Sequence, residues 1–115
     1  MIGANTINNI TSEVSNRVQE TLGDKLRKII LYGSCARGDY DEYSDIDVMV
    51  LADIKNVDEL HKIEKVLWDI GWDVGYNHDT MVSVLLKDNS HFYDWMDAMA
   101  YYRNVSEDGV VLYGA

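Results

Sequence analysis

The order of the apolar segments predicts an α/β fold of the α+β kind, with a three- to four-stranded mixed sheet and helices packed mainly on one face. Three segments repeat apolar residues at helical spacing, and several short runs rich in Val, Ile and Leu are bounded by turn residues. The two kinds of segment intermix along the chain, which is typical of one sheet covered by helices. The 115 residues include no proline and no linker, so a single domain over residues 1–115 is expected.

The first half of the chain is predicted to form a helix, a strand, a tight turn and a second strand. The expected ranges are, in order, a helix over residues 6–22, a strand over 26–32, a turn and short helix over 33–37, an acidic loop over 38–43 and a strand over 46–51. The apolar face of the first helix consists of Ile7, Ile10, Val14, Val18 and Leu22. Gly23 ends this helix because glycine readily adopts the conformation that follows a helix end.

The second half is predicted to add two helices and two strands. The expected ranges are a helix over residues 57–70, a turn-rich segment over 71–78, a strand over 80–86, a helix from about 89 to 102 and a short strand over 110–113. Asn56 or Asp58 is expected to cap the first of these helices, and Asn89 or Ser90 the second. The residues expected to face inward from the second helix are Phe92, Trp95, Met96 and Met99.

The most specific pattern in the sequence joins the first two strands. Gly33-Ser34 follows the first strand, and Asp45-Ile46-Asp47 opens the second after ten intervening residues. Alternate strand residues share a face, so the two carboxylates are expected to project together while Ile46 points into the core. Carboxylates this close repel each other unless a cation lies between them, and such hard oxygen ligands suit Mg²⁺, or Mn²⁺ in its place. Two metal ions at such a site would assist attack on a phosphate and departure of pyrophosphate, which indicates nucleotidyl transfer.

Three residues near this pattern are candidates for contact with phosphate or with the carboxylates. The absence of a side chain at Gly33 lets backbone N–H groups approach a phosphate, and Ser34 can cap a short helix whose start attracts anions. Arg37 adds a positive charge that can face a phosphate or a carboxylate, and Ser44 is expected to shape the loop or bond a carboxylate. A plain turn followed by a solvated strand end is the simpler interpretation, and the flanking strands argue against it.

The segments around this pattern resemble the minimal nucleotidyltransferases (MNT proteins) of the DNA polymerase beta-like superfamily. Residues 31–38 and 44–50 carry the specific part of the resemblance, and residues 79–86 and 102–113 look like the third strand and the usual ending of that family. The resemblance implies the polymerase beta-like nucleotidyltransferase fold, ATP as substrate and two bound Mg²⁺ ions. It also implies that Asp45, Asp47 and Asp79 are the catalytic, metal-binding residues.

Three aromatic residues near the pattern have two interpretations each. Tyr40 and Tyr43 can stack on a nucleotide base or can pin the acidic loop to the body of the protein. His78 can touch a nucleotide or can be a structural histidine. Cys35 has no histidine near it in sequence, so we interpret it as a small packed residue rather than a nucleophile.

Composition restricts the partners. With 20 acidic and 10 basic residues the formal net charge is −10, which argues against tight non-specific binding to nucleic acid and favours a cationic partner surface or a cationic substrate. No apolar run approaches the roughly 20 residues that span a membrane. The N-terminus lacks the features of a signal peptide, and the single cysteine suits a reducing cytoplasm, where we expect the protein to reside.

The leading hypothesis is a metal-dependent transfer of AMP from ATP to an acceptor that a second protein supplies, because the chain has no room for a domain that would hold one. From the resemblance, that acceptor is a tyrosine hydroxyl of a HEPN-type toxin, and the chain acts as an antitoxin within a homo- or hetero-oligomer. A non-catalytic antitoxin that only masks its partner is the first alternative. An aminoglycoside-type nucleotidyltransferase, favoured only by the acidic balance, is the second.

Overall fold

A four-stranded mixed sheet forms the centre of the computed structural model, which describes residues 4–40 and 44–114. In chain order the elements are α1 (Ala4–Leu22), a 3-10 turn (Gly23–Lys25), β1 (Leu26–Tyr32), α2 (Ser34–Arg37), β2 (Ile46–Ala52), α3 (Val57–Asn77), β3 (Val82–Asp88), α4 (Asn89–Asp94), α5 (Ala100–Asp108) and β4 (Val110–Tyr113). The strand order is β3-β2-β1-β4. β1 pairs antiparallel with both β2 and β4, whereas β2 pairs parallel with β3. The predicted mixed sheet is therefore confirmed.

Each face of the sheet has its own apolar core. The two longest helices, α1 and α3, pack on one face, where residues such as Val14 and Leu67 meet Val48 of β2. α4 and α5 cover part of the other face, where Phe92 packs with Met49. The central strand β2 is buried on both faces, which explains why it reads as a nearly continuous apolar run.

Several boundaries agree with the sequence prediction. β1 and β4 begin and end at the predicted residues, α1 ends at Leu22, and Asn56 caps α3 by accepting a hydrogen bond from the Glu59 amide at 3.0 Å. These features depend on local patterns, namely short apolar runs bounded by glycine and a capping side chain beside a helical stripe. None of the helices among the described residues is long and apolar enough to span a membrane.

The predicted turn over residues 71–78 is wrong, because α3 continues to Asn77. Gly71 and Gly75 lie one helical turn apart on the face that meets the chain entering β3. A Cβ atom on Gly71 would lie 2.7 Å from the Val82 carbonyl oxygen, and one on Gly75 would collide with the carbonyl oxygen of Thr80. The two glycines therefore permit close packing of a helix on a strand rather than a turn.

The predicted single helix from 89 to 102 is also wrong, since α4 ends at Asp94 and α5 begins at Ala100. The cap of α4 is Asp88 rather than Asn89 or Ser90. Its carboxylate accepts hydrogen bonds from the His91 amide (3.2 Å) and the Ile54 amide (3.1 Å). The break between the two helices turns side chains outward that one continuous helix would have buried.

Of the four residues predicted to face inward from that helix, two do so. Phe92 is fully buried and Met96 packs against the core, whereas Trp95 and Met99 are 51% and 40% exposed. The helical spacing that suggested a buried stripe does not persist once the helix stops at Asp94.

Candidate active site

The turn after β1 has a backbone conformation that only glycine adopts readily. Gly33 has φ +76° and ψ −158°, a region that costs other residues of order 1–3 kcal/mol. Its carbonyl oxygen accepts hydrogen bonds from the amides of Ala36 (3.1 Å) and Arg37 (3.2 Å), which closes the single turn of α2. The first amides of a helix, here those of Ser34 and Cys35, have no partner within the helix and can donate to an anion.

The two carboxylates lie where the strand pattern predicts them. Ile46 and Val48 are fully buried on the α1/α3 face, while Asp47 is partly buried and Asp45, just before β2, is exposed. Burial, and then the negative charge of Asp45, raises the pKa of Asp47 above its ordinary value. The two carboxylates are therefore close enough to repel each other.

The Gly33 turn and the carboxylate strand are in direct contact. A Cβ atom on Gly33 would lie 2.7 Å from Oδ2 of Asp47, so glycine leaves the space that this carboxylate occupies. In addition, the thiol of Cys35 donates to the carbonyl oxygen of Asp45 at 3.4 Å. Burial, followed by the charges of the two aspartates, raises the pKa of Cys35, so its thiol stays protonated and packs as a structural residue.

Arg37 lies at the edge of this site. Its Nε is 3.3 Å from Oδ2 of Asp39, and both side chains are largely exposed. Exposed ion pairs contribute about 0–1 kcal/mol, so the guanidinium can exchange this partner for a phosphate at little cost. Arg37 also lines a cavity of about 200 Å³, together with Tyr32, Gly33 and residues of α5. Ser44 is partly buried.

Asp79, the predicted third carboxylate, is not brought to the pair. It is exposed in the turn between α3 and β3, with φ +53°, and lines a cavity of about 610 Å³ beside Trp72 and Tyr76. Within residues 4–40 and 44–114, no three His, Cys, Asp or Glu side chains are grouped so as to hold a metal ion. β3 begins only at Val82, and its residue level with Asp47 is Ser83. Of the three predicted carboxylates, the structure thus places Asp45 and Asp47 together.

The other candidates that the structure describes, Tyr40 and His78, make contacts that hold parts of the fold together. Tyr40 packs against the α1/α3 core, which agrees with the interpretation that it pins its loop, and Tyr43 lies outside the described residues. Nε2 of His78 is 3.1 Å from Oε2 of Glu13, so this histidine links the end of α3 to α1.

The structure adds a tyrosine pair that the sequence interpretation missed. Tyr32 is the β1 partner of Asp47 in the antiparallel ladder. The hydroxyl of Tyr101, in α5, donates to the Tyr32 hydroxyl at 2.8 Å, and the two rings meet edge to face at 5.9 Å. Burial, the bond from Tyr101 and the charge of Asp47, in decreasing order, raise the pKa of Tyr32. Residues 69 apart meet here through sheet pairing and the position of α5, so no local sequence signal marked them.

Comparison with known proteins gives consistent similarities. Residues 11–102 match the model of the family described as "Nucleotidyltransferase domain". A protein of Methanocaldococcus jannaschii named "Putative protein adenylyltransferase MJ0141" is 36% identical over 77 residues, which are 67% of this chain and 75% of that protein. A second protein from the same organism, "Putative protein adenylyltransferase MJ0604", is 31% identical over 101 residues, 88% of this chain and 92% of its own length.

Solved structures share the fold. A crystal structure of a toxin–antitoxin with AMP-PNP superposes with a TM-score of 0.57 at 21% identity, covering 89% of this chain and 72% of that one. The structure of the tri-AMPylated Shewanella oneidensis HEPN toxin in complex with its MNT antitoxin gives a TM-score of 0.53 at 19% identity, covering 95% of this chain and 73% of that one. At these identities the similarity establishes the fold alone.

Proposed function

The chain belongs to the polymerase beta-like nucleotidyltransferase domain family, and from this premise we propose that it transfers AMP from ATP to a hydroxyl group of a partner protein. The observation that carries the proposal is the contact between the Gly33 turn and the Asp47 carboxylate. A triphosphate bound at the turn would have its phosphates beside the carboxylate pair. Phosphoryl-type transfer requires mainly this positioning and the neutralisation of charge.

The carboxylate pair fits a divalent cation. Asp45 and Asp47 supply hard oxygen ligands. Burial, and then the charge of Asp45, raises the pKa of Asp47, and a cation between the two carboxylates would offset this cost of holding both charges. Mg²⁺ commonly takes one or two protein carboxylates and completes its shell with water and substrate phosphates, so a third carboxylate is not required. When bound, Mg²⁺ would supply charge stabilisation for the triphosphate and its leaving pyrophosphate.

The protein's own groups would hold and orient the nucleotide. The first amides of α2 donate to phosphate oxygens, and Arg37 leaves its exposed pair with Asp39 to add a positive charge. An acceptor oxygen then attacks the α-phosphate, the bond from the α-phosphorus to the bridging oxygen breaks, and pyrophosphate leaves. Holding both reactants in line contributes several powers of ten in rate, and here the partner must hold its own hydroxyl.

Partner identity is the finer part of the proposal. Two relatives bear the name "Putative protein adenylyltransferase", and a structure of the same fold is an MNT antitoxin in complex with an AMPylated HEPN toxin. We therefore propose that the acceptor is a tyrosine of a HEPN-type toxin and that AMP transfer neutralises this toxin. The net charge of −10 favours a partner with a basic surface.

The test is co-incubation of the chain with its natural partner, ATP and Mg²⁺, followed by peptide mass spectrometry. We expect AMP on a partner tyrosine, a gain of about 329 Da per transfer. The double variant Asp45→Asn, Asp47→Asn should lose both this gain and the neutralisation of the partner. A variant that neutralises the partner without adding mass would instead establish the non-catalytic binding antitoxin.

A further inference from the structure

A tyrosine hydroxyl of this chain lies at its own candidate active site. In the β1/β2 ladder Tyr32 pairs with Asp47, so both side chains project on the same face of the sheet. The hydroxyl of Tyr101 bonds to the Tyr32 hydroxyl at 2.8 Å. Both rings line the cavity of about 200 Å³, which Gly33 and Arg37 also line. A phenol and the phosphate-binding turn therefore share one cavity.

Tyr101 is suited to act as an acceptor, whereas Tyr32 is not. Tyr32 is only 9% exposed and is held within the core of the α4/α5 face, while Tyr101 is 45% exposed near the start of α5. Its one described side-chain hydrogen bond, to Tyr32, keeps the hydroxyl at the cavity. A nucleotide held at the Gly33 turn would have this hydroxyl as a neighbour.

Other described tyrosines lie elsewhere. Tyr76 is the most exposed, at 86%, but it belongs to the cavity beside α3. Tyr93 is 39% exposed, and its hydroxyl is 2.8 Å from Nζ of Lys28, four residues before Tyr32 in β1. Reactivity governed by exposure alone would select Tyr76, and reactivity governed by the site would select Tyr101.

We propose that the chain adenylylates its own Tyr101. The Tyr101 oxygen attacks the α-phosphorus of bound ATP and forms a new Oη–P bond. The bond between the α-phosphorus and the oxygen that bridges to the β-phosphate breaks, and pyrophosphate leaves. The phenolic proton passes to solvent, which Tyr101 already contacts. This inference rests on the proposed AMP transfer, and it limits transfer without a partner to one AMP per chain.

The experiment uses the full chain without any partner, incubated with ATP and Mg²⁺ and followed by intact-mass and peptide mass spectrometry. We expect a single gain of about 329 Da, mapped to Tyr101, at a rate independent of protein concentration because the acceptor is intramolecular. Tyr101→Phe should lose the gain, and Tyr93→Phe, the matched control on the same side of the sheet, should keep it. Asp47→Asn should show none. Thermal melts of each variant check that it is folded.

The outcomes separate this inference from the proposed function. If the same preparation adds AMP to the natural partner but never to itself, self-adenylylation is wrong and partner transfer stands. If the label maps to Tyr76 or Tyr93, or persists in Tyr101→Phe, the assignment of Tyr101 is wrong. A rate that rises with protein concentration would overturn intramolecular transfer. If neither the chain nor the partner gains mass, the proposed function fails and this inference fails with it.

Discussion

Replacing Gly33 by alanine would place a methyl group against the carboxylate of Asp47. The new Cβ would lie 2.7 Å from Oδ2, a distance that real Cβ atoms essentially never show, and the backbone φ of +76° would be strained in addition. The strain costs about 1–3 kcal/mol. For a chain of this size such a loss corresponds to a fall in Tm of roughly 5–15 °C. Because the carboxylate must move, we also expect AMP transfer to be lost.

Gly38 offers a matched control. It too has a positive φ, +83°, but no heavy atom lies within 4 Å of the position its Cβ would take. Gly38→Ala therefore carries backbone strain of about 1–2 kcal/mol without displacing a carboxylate. We expect it to lower the Tm and to leave transfer largely intact.

The assay combines thermal melts of both variants with AMP transfer measured by mass spectrometry. Gly33→Ala and Gly38→Ala should both lose stability, and only Gly33→Ala should lose transfer. Retained transfer in Gly33→Ala would refute the assigned contact between the turn and Asp47. Equal loss of transfer in Gly38→Ala would show that backbone strain, rather than displacement of the carboxylate, governs activity.

Three further predictions concern the charged residues near the site, the binding of Mg²⁺ with ATP, and the cap of α4. Asp47→Asn should abolish transfer, and Asp79→Asn should leave it nearly unchanged. Arg37→Ala should weaken transfer only moderately, because an exposed arginine contributes little binding energy. Steady-state rates of the three variants test this order. Millimolar Mg²⁺ with ATP should raise the Tm of the wild-type chain in thermal melts, and an unchanged Tm would contradict the site. Burial raises the pKa of Asp88, but the bond from Lys55 and those from two backbone amides outweigh it and lower the pKa below the ordinary 3.8. Asp88→Asn should therefore cost stability at neutral pH, and urea unfolding should show this deficit shrinking as the pH falls through and below 3.8.

Local patterns explain why much of the fold could be predicted from the sequence. β1 is a short apolar run bounded by turn residues, so the local sequence locates both of its ends. It packs against two neighbouring strands. The glycines of α3 are the opposite case, because they look like turn signals until the chain entering β3 is seen against them. Tertiary packing decides whether Gly71 ends a helix or lets a strand approach. The spacing of residues along the sequence carries no information about that packing.

The candidate site likewise has one part that the sequence could predict and one part that it could not. Gly33, Asp45 and Asp47 were predictable because one short motif joins adjacent antiparallel strands, whose pairing returns its two ends to each other. The resemblance placed Asp79 at the start of the third strand, but that strand begins at Val82, two residues later than predicted. A shift of this size is enough to leave a carboxylate in a turn instead of on the ladder.

The tyrosine pair shows what a motif leaves undetermined. Tyr32 is fixed beside Asp47 by the β1/β2 ladder, so its place follows from the motif once the strands pair. Tyr101 reaches the same place only because the helix predicted to end at residue 102 breaks and restarts as α5. The break comes after Asp94, two residues beyond Phe92, which packs in the core of the α4/α5 face. The acceptor that we propose for self-adenylylation therefore depends on tertiary structure, and a chain with the same motif but an unbroken helix would not be expected to modify itself.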